Sequence, residues 1–175
     1  MSMEDLMVLV DEADNKIGLM EKMETHRKGL LHKAFSGFVF DNKGRLLVQQ
    51  RAEGKYHNPG IWANTVCSHP YDGESVTDGV RRRLGQELGF SEDFEYVDKF
   101  IYRAQFPNGL TEHEFDSVLV AHYGGAEVKP NPDEVQAIRW VTRAELEGEI
   151  AENPERFSYW LRQILKLGYV DKWFR

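Results

Sequence analysis

Residues 74 to 89 read ESVTDGVRRRLGQELG. Val76, Val80, Leu84 and Leu88 recur every four positions, which places them on one stripe of a helix, and Gly89 supplies a stop. Around this helix the chain is written mostly in strands. LMVLV (6–10) reads as a strand and EADNKIG (12–18) as a turn. KAFSGFVF (33–40) and RLLVQQR (45–51) flank the turn DNKG, a hairpin signal. WANTVCSHP (62–70) is extended and ends at Pro70. FEYVDKFIYRA (94–104), EHEFDSVLVAHY (112–123) and VQAIRWV (135–141) are further strands. TRAELEGEI (142–150) opens with Thr142 and carries Glu145 at the third helical position, a capping box. FSYWLRQILKLG (157–168) is the last helix. One internal helix and a helical C-terminus among so many strands predict an α+β fold, a mixed β-sheet sandwiched between helices.

No repeat or long linker interrupts this order. The 175 residues, 41% of them hydrophobic, suffice for one core. The chain is expected to be a single domain over 1–175, with its core at about 30–168 and an N-terminal strand and capping segment over 1–29. No apolar run approaches the ~20 residues of a membrane span. The acidic start, MSMEDLMVLVDEADNKIG, lacks the order of a signal peptide. With one cysteine no internal disulfide can form. These features predict a cytoplasmic protein, a monomer or weak dimer.

The net charge of −7 argues against a nucleic-acid partner. Local basic clusters survive within it: HRKGLLHK (26–33), RRR (81–83), and Arg51 with Lys55. They read either as solvated surface or as a focused site for a small anion.

Glu112, Glu114 and Asp116 alternate along one strand, so their side chains leave the same face. Carboxylates so spaced repel unless a cation, a proton or water intervenes. The stripe therefore either faces solvent or binds a metal. His26, His32 and His69 with two of these carboxylates would make a mixed N/O site suited to Zn, Mn, Fe or Mg. His57, His113 and His122 read as ordinary surface or core residues. The solitary Cys67 is a small buried hydrophobe, a metal ligand or a catalytic thiol.

The tail of the helix, RRLGQELGF, resembles the end of the Nudix signature, G-x5-E-x7-R-E-U-x-E-E-x-G-U, where U is bulky and aliphatic. Gly89 aligned on the final Gly puts Glu74 on the first Glu, Arg82 on the Arg and Glu87 on the last Glu. Ser68, Arg83 and Gln86 depart from the pattern. A Nudix hydrolase holds Mg²⁺ on the glutamates that this helix has lost. A diphosphohydrolase of small diphosphates is the alternative reading of the chain, and these departures speak against it.

Taken with HRKGLLHKAFSGFVF, LLVQQRAEGKYHNPGIWANTVCSHP, YRAQFPNGLTEHEF and FSYW, the chain resembles the type 1 isopentenyl diphosphate isomerases, Nudix-fold enzymes, over roughly residues 20–160. That family moves a double bond in a five-carbon diphosphate, interconverting isopentenyl and dimethylallyl diphosphate for isoprenoid biosynthesis. The resemblance implies roles. Cys67 matches the catalytic thiol, Glu114 the catalytic carboxylate on the opposite face, Tyr102 a tyrosine that assists it, and Trp160 the aromatic that stabilises a carbocation. His26, His32, His69, Glu112 and Glu114 match the ligands of one divalent metal, Mn, Zn or Mg. Lys22, Arg51, Lys55 and Arg83 match diphosphate-binding positions, and Glu87 a ligand of the Mg²⁺ that accompanies the substrate. Asp116 has no counterpart in that ligand set and reads as a residue behind the ligands or in solvent.

Overall fold

The computed structural model describes residues 2–55 and 58–174, so His57 lies outside the described residues. Strand β1 (Leu6–Val10) pairs antiparallel with β2 (Lys16–Glu21), which runs directly into helix α1 (Lys22–Lys28). Neither β2 nor α1 was expected. The predicted turn ends at Asn15, and Lys16 already pairs with Val10. Helix α1 has a single apolar residue, Met23, and no stripe to read. It forms because the Glu21 carboxylate accepts from the Met23 and Glu24 N–H groups at its start and Gly29 closes it in the left-handed region. Its inward face carries Thr25 and His26, both buried.

The predicted hairpin becomes β3 (His32–Phe40) and β4 (Leu46–Arg51), which touch at Phe40 and Leu46. The WANTVCS stretch supplies two short strands, β5 (Trp62–Ala63) and β6 (Val66–Ser68). Helix α2 (Val76–Leu88) follows, capped by the Ser75 hydroxyl. Then come β7 (Glu95–Gln105), β8 (Thr111–His122), β9 (Val135–Val141), α3 (Arg143–Glu152) and α4 (Tyr159–Leu167). The expected capping box of Thr142 and Glu145 is formed at the head of α3. The last helix starts later than its periodicity suggested. Phe157 is extended and bridges Trp62, and Ser158 caps α4 from outside.

Strand β3 organises the mixed sheet. Phe35, Ser36 and Gly37 pair with β6 antiparallel, and the same residues pair with β8 parallel. A strand has two edges, so β6 and β8 must flank β3 on opposite sides. Strand β8 also takes β7 antiparallel, and β4 takes β5 and β9. Helix α2 lies on one face, its Val80, Leu84 and Leu88 packed with Phe35, Val39 and Leu119. Helices α3 and α4 cover the other, where Leu146, Leu161 and Ile164 pack with Phe38, Val118 and Val120. The approach of α2 needs glycine on both sides. A Cβ on Gly37 would stand 2.6 Å from Val80 Cγ2, and one on Gly79 2.8 Å from the Phe35 ring. No helix among the described residues is long and apolar enough to cross a membrane.

Candidate active site

Register assembles the site. Parallel pairing sets Glu114 opposite His32, and antiparallel pairing sets it opposite Tyr102. Glu112, Glu114 and Asp116 do share a face, and that face points inward, with all three carboxyls buried. Asp116 is therefore not in solvent. Its Oδ2 accepts from the Ser36 hydroxyl at 2.7 Å, behind the cleft wall.

Glu114 is the hub. Its Oε2 lies 3.2 Å from His32 Nε2 and 3.0 Å from His69 Nε2, and the Tyr102 hydroxyl donates to its Oε1 at 2.6 Å. The two imidazole nitrogens are 3.3 Å apart. Helix α1 brings His26 to the same point, its ring centroid 5.3 Å from that of His32. One ligand atom from each of His26, His32, His69 and Glu114 lies within 4.8 Å of the other three. Glu112 stands beside this cluster rather than in it, with Tyr102 Oη 3.3 Å from its Oε1.

The donor set fits a divalent cation. His32 Nδ1 lies 2.9 Å from the Leu30 carbonyl, which can only accept. This contact anchors the ring through Nδ1 and turns Nε2 inward, the orientation that metal-bound histidines adopt. Burial lowers the His69 imidazole to about 3, so it is neutral. Burial also works against the Glu114 charge, but hydrogen bonds from His32 and His69 outweigh it and hold the carboxyl well below the usual range. Three imidazoles converging with one carboxylate are metal-site chemistry.

Cys67 sits on β6 opposite Ser36 and faces the same cleft as Glu114 and His69. Burial pushes its thiol far up, so it stays protonated at neutral pH. Trp160 lines the cleft from α4, its indole N–H donating to Asn64 Oδ1 at 2.8 Å. Asn64 is itself held by the Gly37 and Val66 carbonyls, which fixes the indole plane.

Lys22, Arg51, Lys55 and Arg83 all line this cleft. Their mutual proximity is electrostatically costly: burial, then the charges of Lys55, Arg51 and Arg83, depress the Lys22 amine. The three consecutive arginines of α2 diverge, because successive helical residues point about 100° apart. Only Arg83 of the three lines the cleft. Arg82 pairs with Glu74 at 2.9 Å and lies over the Tyr71 ring, and Arg81 reaches toward Asp93. Glu87 is buried behind the cleft, one oxygen held by Gln49 at 2.9 Å and the other by Arg83 at 2.9 Å.

Four contributors escaped the sequence reading. Ser36 could have been inferred only from the β3–β6 register. Asn64 and Gln49 carried no signal beyond a polar residue in an apolar stretch. Glu134, in the loop before β9, pairs with Lys55 at 2.5 Å and Arg83 at 3.3 Å, and nothing in NPDEV announces it.

A mixed sheet between one helix and a helical pair, with a helix carrying a degenerate Nudix signature beside the cleft, defines a Nudix-fold domain. The NUDIX domain model matches residues 30–163. The fold is shared with the crystal structure of DR0079 from Deinococcus radiodurans, with a TM-score of 0.69 and 20% identity over 85% of this chain and 90% of that one. It is shared as well with the MutT NUDIX hydrolase from Burkholderia pseudomallei, with a TM-score of 0.60 and 20% identity over 78% and 96%. Sequence likeness is far higher elsewhere. The isopentenyl-diphosphate Delta-isomerase of Burkholderia multivorans is 48% identical over 174 residues, 98% of each chain. That of Serratia proteamaculans is 44% identical over 178 residues, 99% of this chain and 98% of the other. The chain belongs to the isopentenyl-diphosphate Delta-isomerase family.

Proposed function

We infer that the chain interconverts isopentenyl and dimethylallyl diphosphate, with Cys67 and Glu114 moving protons on opposite sides of the alkene. The reading is carried by one observation: a protonated thiol and a charge-held carboxylate reach a single buried cleft from strands on opposite edges of β3.

An unactivated alkene is a very weak base, so its proton donor must be buried and aligned. Cys67, kept as a thiol by burial, meets that need on one wall. Glu114 serves the other wall. The Tyr102 hydroxyl, kept protonated by burial, orients it and carries its proton. The reaction is reversible, so the donor in one direction is the acceptor in the other. Positive charge developing at the tertiary carbon is met by the Trp160 indole, whose face is set by Asn64. Lys22, Arg51, Lys55 and Arg83 bind the diphosphate, Arg in bidentate fashion and Lys as a point charge. Segment 1–29 caps the cleft and delivers Lys22 and His26. His26, His32, His69 and Glu114 would hold a divalent metal, with Glu112 beside them, and Glu87 the Mg²⁺ that accompanies the diphosphate; bound, the ions would supply positive charge that polarises Glu114 and offsets the phosphates. The hydrolytic alternative lacks its acids: Glu74 is committed to Arg82, and Arg83 and Gln86 stand where carboxylates would be needed.

Proton and phosphorus NMR with isopentenyl diphosphate and Mg²⁺ in D₂O tests the reading. Dimethylallyl signals should grow with deuterium incorporation and an intact diphosphate. Free phosphate with an unmoved double bond overturns it. Cys67→Ala should keep the metal and lose turnover by about 10²- to 10⁴-fold, the usual contribution of a positioned acid or base.

A further inference from the structure

The four cations of the diphosphate subsite are not met alone. Glu134 Oε2 bridges two of them, Lys55 Nζ at 2.5 Å and Arg83 Nη2 at 3.3 Å. A carboxylate oxygen spanning an ammonium and a guanidinium has the chemistry of a phosphate oxygen in the same place. We propose that Glu134 is an internal counter-anion that occupies the Lys55–Arg83 half of the subsite in the empty protein and is displaced by the incoming diphosphate, setting how much negative charge a ligand must carry to take that half.

The contrast with Glu87 supports displacement. Both carboxylates contact Arg83, but Glu87 lies on the same helix four residues on, is buried, and has its other oxygen pinned by Gln49. It cannot leave without stranding a buried group. The Glu134 side chain keeps about a quarter of its surface exposed, at 23%. Its backbone is anchored, with the N–H donating to the Asn131 carbonyl and the carbonyl accepting from the Ala52 N–H. The side chain alone is therefore the mobile part. A second hollow lined by Lys22, Lys55, Arg83 and Glu134 adjoins the cleft and gives it somewhere to swing. Physical need points the same way. Four cations lining one cleft repel one another, and their charges add to burial in depressing the Lys22 amine. The Glu134 carboxylate relieves part of that repulsion, at Lys55 and Arg83, yet carries less charge than a phosphate and yields to one.

The inference rests on the isomerase reading only in taking the ligand to be a diphosphate. The test is calorimetric titration of the full chain and of Glu134→Gln with inorganic diphosphate, at saturating Mg²⁺ and one ionic strength. The variant should bind tighter by about two- to fivefold, the scale set by partly exposed ion pairs. Equal or weaker binding overturns the proposal, since a residue that merely positions Lys55 and Arg83 would lose affinity when neutralised. No binding of inorganic diphosphate by the wild type overturns it as well. A crystal structure of the wild type with inorganic diphosphate decides the matter if the variant does not fold. Glu134 Oε2 should then lie beyond hydrogen-bonding distance of Lys55 Nζ, and a bridge left intact beside the ligand overturns the proposal. The two readings fail separately. Tighter binding by the variant with no isomerisation by the wild type sinks the function and spares Glu134. Isomerisation with no gain in the variant sinks Glu134 alone.

Discussion

Strand β8 is two strands in one. Its first half, Thr111 to Ser117, and its second, Val118 to His122, form one strand between β3 and β7, with a register shift in β7 opposite Val118 and Leu119 at the junction of the halves. Both halves are largely buried. The second half buries what burial favours: Val118 and Val120 face α3 and α4, and Leu119 and Ala121 face α2. The first half buries three carboxyls. Burial and the charge of Glu114 push Glu112 and Asp116 well above the ordinary carboxyl range, while Glu114 is held below it by His32 and His69. One half contributes stability and the other spends it on a poised site. Substitutions in the two halves should therefore fail in opposite ways.

The largest effect belongs to the polar half. Glu114→Gln should lower turnover by about 10²- to 10⁴-fold, and elemental analysis should find the His/Glu metal depleted. Its thermal midpoint should move far less than its activity. Retained metal together with retained turnover would remove Glu114 from the centre of the site. Leu119→Ala is the converse. Leu119 is fully buried against α2, so the change should cost about 2–5 kcal/mol of stability in denaturant titration. Turnover per folded molecule should stay near the parent's. Loss of turnover without loss of stability would mean that the two halves are not separable.

The next prediction probes the boundary between burial and chemistry. Tyr102 reaches across from β7 to donate to the ionised Glu114. Tyr102→Phe keeps the ring and its packing with Ala63, Ala104 and Trp160. A hydrogen bond to a charged group contributes about 1.5–3 kcal/mol. Stability should fall by no more than that amount, and turnover by roughly 10- to 100-fold. An unchanged rate would show that Tyr102 only fills space.

The same comparison explains what could be read in advance. Apolar periodicity revealed α2 because Val80, Leu84 and Leu88 are both apolar and inward. It revealed the alternation of Glu112, Glu114 and Asp116, but gave no means of telling an inward acidic face from a solvent one. That choice is made by the parallel pairing with β3, which is non-local. Helix α1 was illegible for a related reason: its buried residues are Thr25 and His26, and polar burial leaves no stripe. Strand β2 leaves Ile17 and Leu19 exposed at a sheet edge, so its pattern reads as a turn running on. Phe157 belongs to the apolar run of α4 by composition, yet spends its side chain on the core beside Trp62 while its backbone stays extended. The site residues were named through family likeness rather than spacing, which is why Glu134, outside every motif, was missed.

The smallest effect tests whether an acid at a Nudix-signature position is structural in this chain. Glu74 aligns with the first glutamate of the Nudix signature. Its Oε2 accepts from Arg82 Nε at 2.9 Å and its Oε1 from the Tyr71 N–H at 2.9 Å, tying the loop before α2 to the helix. Burial opposes its charge, but the Arg82 and Tyr71 hydrogen bonds prevail and lower its pKa from 4.5. The sign follows from that depression. The unfolded chain takes up the proton first as pH falls, so the stability Glu74 contributes is present above about 4.5 and is lost as pH drops through the lower folded value. Glu74→Gln should therefore be less stable than the parent by about 1 kcal/mol near pH 7, and the gap should begin to close below pH 4.5. Urea midpoints of the two proteins at pH 7, 5 and 4 measure it. A gap that ignores pH would show that Glu74 acts by shape alone, wedged against Gly79, where a Cβ would stand 3.0 Å from its Oε1. A gap confined to turnover would return Glu74 to the chemistry, and the contrast between a structural acid before α2 and a poised acidic strand would fall with it.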